Sequence, residues 1–501
     1  YARSASNIRD HRHVTSLLHR TFTIKDGIMI YPTLTFDERG HNKNTVFYGA
    51  LAKEMVNGKM ESPVSFCPVT EEFIGEGGNF ENPYYVAKNK PLPYTEGQEV
   101  DGYETVAAIR FNNCELKPGE SRSYVIALEY GTSKEELESI GSKYIDVDSF
   151  YKYLEETKNY WQDKINVSYN SADKNFDNWM HWVNFQPMLR RIYGCSFLPH
   201  HDYGKGGRGW RDLWQDCLAL LIMEPKQVRQ MLIDNFGGVR FDGTNATIIG
   251  SKQGEFIADR NNITRVWMDH GAWPYLTTEL YMQQTGDVEF LVEENSYFKD
   301  PQVCRGEEKD MIWNDEQGNK QLAENNEVYA GTVLEHMLIQ HLTAFYDVGE
   351  HNHIRLRGAD WNDGLDMAAK RGESVAFTAL YGGNLKNLAK DIKAYAEKTG
   401  NETVLLAKEL LILLNVDKTV FDRIDEKKQV LDAYCETVKH TISGEKVNVR
   451  CDELCSILDS MGDWIGEHIR TTEWTTDKDG HGWFNGYYDN HGRQVEGDTK
   501  T

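Results

Sequence analysis

The spacing of apolar positions changes near residue 146. Before it, β-branched and aromatic residues come in short runs with partial alternation. Residues 27–36, 103–111 and 121–130 read as strands, the last entered through the turn at Pro118 and Gly119 and ended by Gly131. Few long helical patterns interrupt residues 1–145, and an antiparallel β-sandwich is predicted there. Phe150, Tyr153, Leu154, Tyr160 and Trp161 then fall at helical spacing behind Asp146 or Asp148, which predicts a helical linker over 146–168. From 169 to 501 helical periodicity dominates. Helices are predicted over 173–191, 211–223, 226–236, 270–285, 325–348, 376–398, 402–413 and 453–468, with a kink at Pro187. The clearest apolar stripe is Val333, Leu334, Met337, Leu338, Leu342, Phe345 and Tyr346. Many helices of similar length without a fixed repeat favour an (α/α)6 helical barrel over a solenoid. The polar stretch 414–452 reads as a surface insertion. The aromatic, turn-rich stretch 482–489 returns to extended structure, and the chain stops without a final helix. The predicted class is α+β multidomain: β-sandwich, linker helix, and a barrel incomplete at its C-terminus.

Composition narrows the function classes. A length of 501 residues is enough for two or three domains. A net charge of −23 argues against nucleic acid and anionic membranes as partners, and any phosphate would need a local basic pocket. No stretch is apolar enough to span a bilayer, no signal peptide is visible, and the chain begins without Met inside structured sequence, so a fragment or processed product is expected. The eight cysteines lack the spacing of a zinc site and read as free thiols in a reducing, cytoplasmic setting. The pairs His11/His13, His200/His201 and His351/His353 lack metal-site spacing and read as surface or loop histidines, so no metal is expected.

Two stretches carry the candidate chemistry. Between Arg357 and Asp366 stand Asp360, Trp361, Asn362, Asp363 and Asp366, bracketed by Gly358 and Gly364. Acids beside an indole suit a sugar site: carboxyls move protons and bind hydroxyls, and the indole packs on the apolar face of a pyranose. A turn with only local side-chain hydrogen bonds is the bland alternative. The second stretch is 204–216. Its glycines resemble a phosphate loop, but no Gly-Lys-Ser/Thr ends it. Arg211, Asp212, Gln215 and Asp216 stand instead at the mouth of an apolar helix, with Asp212 and Asp216 on one face. Arg211 can fork onto a carboxylate or onto sugar hydroxyls. A third stretch, 265–275, carries Asp269 and His270 before Pro274, and these read as capping and packing.

In order and spacing, Arg211-Asp212-x-x-Gln215-Asp216, Trp267-Met-Asp-His-Gly-Ala-Trp-Pro274, Thr285-Gly-Asp287, Val333-Leu-Glu-His336 and Asp360-Trp-Asn-Asp-Gly364 resemble the inverting phosphorylases of the cellobiose-phosphorylase type, glycoside hydrolase family 94 and its β-glucan-acting relatives. The stretch 483–489 is similar to the strand that follows the family's catalytic loop. The resemblance implies the same β-sandwich, linker and (α/α)6 barrel. It implies that Asp363 is the general acid and that Arg211, Asp212, Gln215, Asp216, Asp360, Trp361 and Asn362 hold the donor sugar. It implies an oligosaccharide or β-glucan substrate (β-1,3-linked oligoglucan favoured), inorganic phosphate as co-substrate and no other cofactor. A homodimer is also an expectation. Phosphate is already an anionic nucleophile, so only one carboxyl is required, and Asp363 must be protonated when sugar binds. Asp360 and Asp366 would favour that protonation, and Arg357 is expected to pair with a different acid or to face phosphate. The family's phosphate-binding residues fall beyond residue 501. A hydrolase on the same barrel and a non-catalytic carbohydrate-binding subunit remain alternatives.

Overall fold

The computed structural model describes residues 2–3, 19–32, 46–193, 209–246, 248–249, 253–257, 266–359, 361–362, 365 and 368–495. The expected Asp360, Asp363 and Asp366, the glycine-rich stretch 204–208, His11, His13, His200 and His201 lie outside the described residues. The chain divides into two compact units, 1–166 with 199–205, and 167–198 with 206–501.

The first unit is built on antiparallel strands. Across the larger sheet, Arg122–Gly131 pairs with Phe47–Val56, which pairs with both Gly27–Pro32 and Lys59–Glu61; His19–Ile24 and Glu99–Asp101 follow. A smaller sheet joins Ala2–Arg3, Thr105–Arg110 and Ser65–Val69. Side chains alternate across a strand, so the larger sheet presents two faces, and towards the end of His19–Ile24 both are buried. Phe22, Ile24, Met29, Leu51 and Ala127 cluster on one face under Leu137. On the other, Thr21 Oγ1 lies 2.9 Å from Thr105 Oγ1 of the smaller sheet. Leu137 belongs to helix α1 (Lys134–Tyr144), capped by Ser133, whose hydroxyl accepts from the Glu136 amide. This helix interrupts the region read as purely β. Helix α2 (Val147–Lys164) follows, with Asp146 as its cap, accepting from the Ser149 amide.

The second unit is mainly helical. Its longer helices are α3 (Lys174–Tyr193, containing Pro187), α4 (Trp210–Met223), α5 (Pro225–Phe236), α6 (Asp269–Thr285), α7 (Val333–Tyr346), α8 (Val375–Thr399), α9 (Ile424–Thr437) and α10 (Cys451–Thr472). Every residue of α7 is buried. Its expected start at 325 is wrong. Residues Ala330–Thr332 form a short strand against Glu294–Ser296, and Thr332 then caps the helix through the Glu335 amide. The expected helix at 402–413 holds only in its second half: Thr403–Ala407 is a strand paired with Lys446–Arg450, followed by a 3-10 turn at Lys408–Leu410 and a short helix at Leu411–Leu414. The stretch 414–452 is not simply a surface insertion, since α9 buries Leu431, Tyr434 and Cys435. Helix α10 packs Leu454, Leu458, Met461, Ile465 and Ile469 inward, each such side chain contributing about 1.5–3 kcal/mol by leaving water. Its close approach to α8 requires Gly382, where a Cβ would meet Ile465 Cγ2 at 2.7 Å. Among the described residues, no helix is long and apolar enough to cross a membrane.

Contacts between helix ends gather several of them. Trp210 at the start of α4 donates to the His270 carbonyl at the start of α6. The end of α7 leads through Ile354–Arg355, paired with Glu373–Ser374, into α8. His353 in that connection bonds Glu473, just past the end of α10. The N-termini of α4 and α6 therefore meet, and Tyr381 in the second turn of α8 donates to the Met268 carbonyl just before α6.

Candidate active site

The loop that carries the expected acids is tied down at its entrance. Arg357 has φ 53° and Ala359 φ 135°, backbone states that need outside support. Three groups of contacts supply it. First, Arg357 Nε and Nη2 donate to the two Asp347 oxygens at 2.8 and 2.7 Å, and Nη1 donates to Glu307 Oε1 at 2.7 Å. Asp347 also accepts from Arg305 Nε at 2.7 Å. Burial would raise the Asp347 carboxyl, but the Arg357 and Arg305 charges outweigh it and hold it well below the usual carboxylate range. Second, the Gly358 amide donates to the Val266 carbonyl at 2.8 Å, and the Met268 amide donates to the Ala359 carbonyl at 2.9 Å. A Cβ on Gly358 would lie 2.9 Å from that Val266 oxygen.

The third tie joins the two candidate motifs. Arg211 Nη1 donates to the Trp361 carbonyl at 3.1 Å across 150 residues of sequence. The rest of the Arg211 guanidinium grips Asp269, with Nε 2.9 Å from Oδ2 and Nη2 3.2 Å from Oδ1. Asp269 is fully buried and also accepts from Trp273 Nε1 at 3.2 Å. Beside it, His270 is kept from taking a proton, first by burial and then by the Arg211 charge.

The expected residues are thus distributed as follows. Arg211 and Trp361 are brought together, and Trp361 is 61% exposed, its indole open to a ligand. Asn362 is exposed beside it, and its carbonyl accepts from the Leu365 amide at 3.0 Å. Asp212 folds back over the α4 terminus, 2.4 Å from where a Cβ on Gly209 would stand. Gln215 is half-buried and Asp216 buried one turn further along α4. Arg357 is engaged by Asp347 and Glu307 through all three guanidinium nitrogens, the pairing with another acid that its position called for. Asp360 and Asp363 fall outside the described residues.

Sequence reasoning missed Asp269, Asp347, Arg305 and Glu307. Asp269 stands in a stretch already singled out, and only its partner was missing. The other three sit in no recognisable motif. The expectation for His351 and His353 needs correction. His353 is buried and its Nε2 lies 2.8 Å from Glu473 Oε1, while His351 Nδ1 lies 2.6 Å from Glu373 Oε2. Glu473 also accepts from Asn485 Nδ2 and the Tyr488 hydroxyl. Burial would raise its carboxyl, yet these partners pull it down to about 2.

Comparison with known proteins places both units in one family. The family description "Glycosyl hydrolase 94, supersandwich domain" matches residues 5–147, and "Glycosyl hydrolase 94 superfamily, catalytic domain" matches residues 160–306. The chain belongs to the glycosyl hydrolase 94 superfamily. The second match contains the Arg211 motif and Asp269 and ends before the 357–366 loop. A solabiose phosphorylase of Paenibacillus borealis is 24% identical over 327 residues, 64% of this chain and 35% of its own length. The cyclic beta-(1,2)-glucan synthase NdvB of Rhizobium meliloti (strain 1021) is 24% identical over 311 residues, 61% of this chain and 10% of its own length. The chain therefore spans about a third or less of these relatives.

Proposed function

We propose that this chain carries the donor-sugar half of an inverting glycoside phosphorylase whose helices belong to an (α/α)6 barrel. One observation carries the reading: the Arg211–Trp361 hydrogen bond joins the Arg-Asp-x-x-Gln-Asp helix terminus to the Asp-Trp-Asn-Asp loop. Trp361 offers an open indole to a pyranose face, and Arg211, Asp212, Gln215, Asp216, Asp360 and Asn362 supply polar groups for its hydroxyls. Asp363 donates its proton to the glycosidic oxygen, and the bond from that oxygen to the anomeric carbon breaks. Inorganic phosphate attacks that carbon from the opposite face, giving an α-sugar 1-phosphate and a shortened saccharide. The chemistry needs phosphate and no other cofactor. Arg357 is engaged by Asp347 and Glu307, and in this reading Asp360 and Asp366 favour protonation of Asp363.

The substrate class is a β-glucoside. The β-1,3 linkage is the finer part of the proposal and rests on the resemblance of the glycine-rich segment 204–208 and of the chain's long insertions to β-glucan-acting phosphorylases; neither relative's name carries it. The test is to incubate the full-length protein with β-1,2-, β-1,3- and β-1,4-linked oligoglucosides, with and without phosphate. Sugar 1-phosphate released only with phosphate is the expected result. Free glucose released equally without phosphate would make the protein a hydrolase.

A further inference from the structure

Asp269 is the first residue of α6 and has no solvent exposure. A buried carboxylate is costly unless it is paired. Here two of its bonds go to one guanidinium, and the planar fork of arginine then fixes where the remaining nitrogen points. That nitrogen, Arg211 Nη1, donates to the Trp361 carbonyl. The Trp267 ring centroid lies 6.0 Å from the guanidinium carbon, so the group has an aromatic wall beside it as well as a carboxylate in front. The same short segment, 266–268, already holds Gly358 and Ala359 through its backbone. Residues 266–269 therefore grip the loop twice, directly through the backbone of 266 and 268 and, from Asp269, through Arg211. An acid at a helix start serves the helix dipole without any such geometry. The two-pronged pair and its third hydrogen bond are what that simpler role leaves unexplained.

We propose that Asp269 is a positioning residue for the candidate catalytic loop: by holding Arg211 in a two-pronged pair, it aims Nη1 at the Trp361 carbonyl and fixes Trp361 two residues before Asp363. This rests on the reading of Asp360 to Asp363 as the donor-sugar frame. Arg211 then serves the loop as well as the donor sugar, and Asp269 acts through Arg211. Replacing the carboxylate with its isosteric amide keeps the volume and removes the charge that orients the guanidinium.

The experiment compares Asp269→Asn with the wild type in the full-length protein by hydrogen exchange and by phosphorolysis kinetics. The expected result is exchange of the 357–366 amides faster by about tenfold or more, with α8 and α10 amides unchanged. In phosphorolysis, kcat falls by about 30-fold or more while KM for the glycoside stays within about threefold. Loop exchange within about twofold of the wild type would overturn the proposal, as would acceleration spread equally over α6, α8 and α10. A wild type that phosphorolyses no glycoside would sink the functional reading instead, and the exchange comparison would still decide the role of Asp269.

Discussion

Arg357 and Asp347, ten residues apart, meet in a two-pronged ion pair, Nε to Oδ2 at 2.8 Å and Nη2 to Oδ1 at 2.7 Å. Arg305, from a separate loop, shares the same carboxylate. The pair anchors the loop entrance and also occupies the one arginine that would otherwise stand nearest the proposed proton donor in sequence. Asp347→Asn would leave two largely buried guanidiniums without their main counter-charge. A loss of about 3–5 kcal/mol in denaturant unfolding is expected at neutral pH. The folded carboxyl is depressed below its unfolded value, so its stabilisation is full above about pH 4 and is lost as pH falls further. The difference between wild type and variant should therefore shrink on acidification. A constant difference from pH 7 to pH 3 would contradict this.

Gly358 is required by proximity. Adding a Cβ would place it 2.9 Å from the Val266 carbonyl oxygen, a backbone atom that cannot swing away. Gly358→Ala should push the loop off the 266–268 segment. Misplacing a catalytic group by about 1 Å costs on the order of 100-fold in rate. Turnover should fall by about that factor, with a modest drop in melting temperature. Unchanged turnover would mean that this seam does not position the chemistry.

Glu129 in the first unit has both carboxylate oxygens buried without a hydrogen-bond partner among the described residues. Burial pushes its carboxyl up to about 7. The folded state holds this proton more tightly than the unfolded chain, so stability declines as pH rises from about 4.5 to 7. Glu129→Gln should unfold later than the wild type at pH 8, by about 1–3 kcal/mol, and level with it near pH 4. Thermal unfolding of both proteins at the two pH values checks the sign.

Glu473 has the opposite sign. His353, Asn485 and Tyr488 hold it ionised, and the Tyr488 ring stacks on His351 at 3.6 Å. Its stabilisation is present above about pH 4.5 and disappears as pH falls towards 2. Glu473→Gln should cost about 2–3 kcal/mol at pH 7 and almost nothing at pH 2. Because Tyr487–Tyr488 pairs with Glu373–Ser374, the change should also loosen the strand that leads into α8, read as faster exchange at 373–374.

What the sequence made legible follows from range. The α7 stripe and the α10 periodicity are local, and both helices stand within a few residues of their expected places, apart from the α7 start. Helix α1 was signalled too, by Ser133 followed three residues later by Glu136, a capping pattern that the surrounding strands masked. Residues 403–407 were not legible, because Leu405, Leu406 and Ala407 suit a helix, and pairing with 446–450 makes the segment a strand. The site divides in the same way. Arg211 and Trp361 were chosen on residue type and spacing, whereas Asp269 reads as a cap until Arg211, 58 residues earlier, is placed against it. Asp347, Arg305 and Glu307 lie in loops without a signature, and only the folded chain shows that they carry the Arg357 anchor.

The central claim is that Asp363 supplies the proton for cleavage by phosphate. The most direct measurement compares sugar 1-phosphate formation by the full-length wild type and Asp363→Asn, with phosphate present and an oligoglucoside that the wild type accepts. The account predicts phosphate-dependent product from the wild type, a fall of at least about 1,000-fold in kcat for the variant, and little change in glycoside affinity. Turnover by Asp363→Asn at or near the wild-type rate would contradict it.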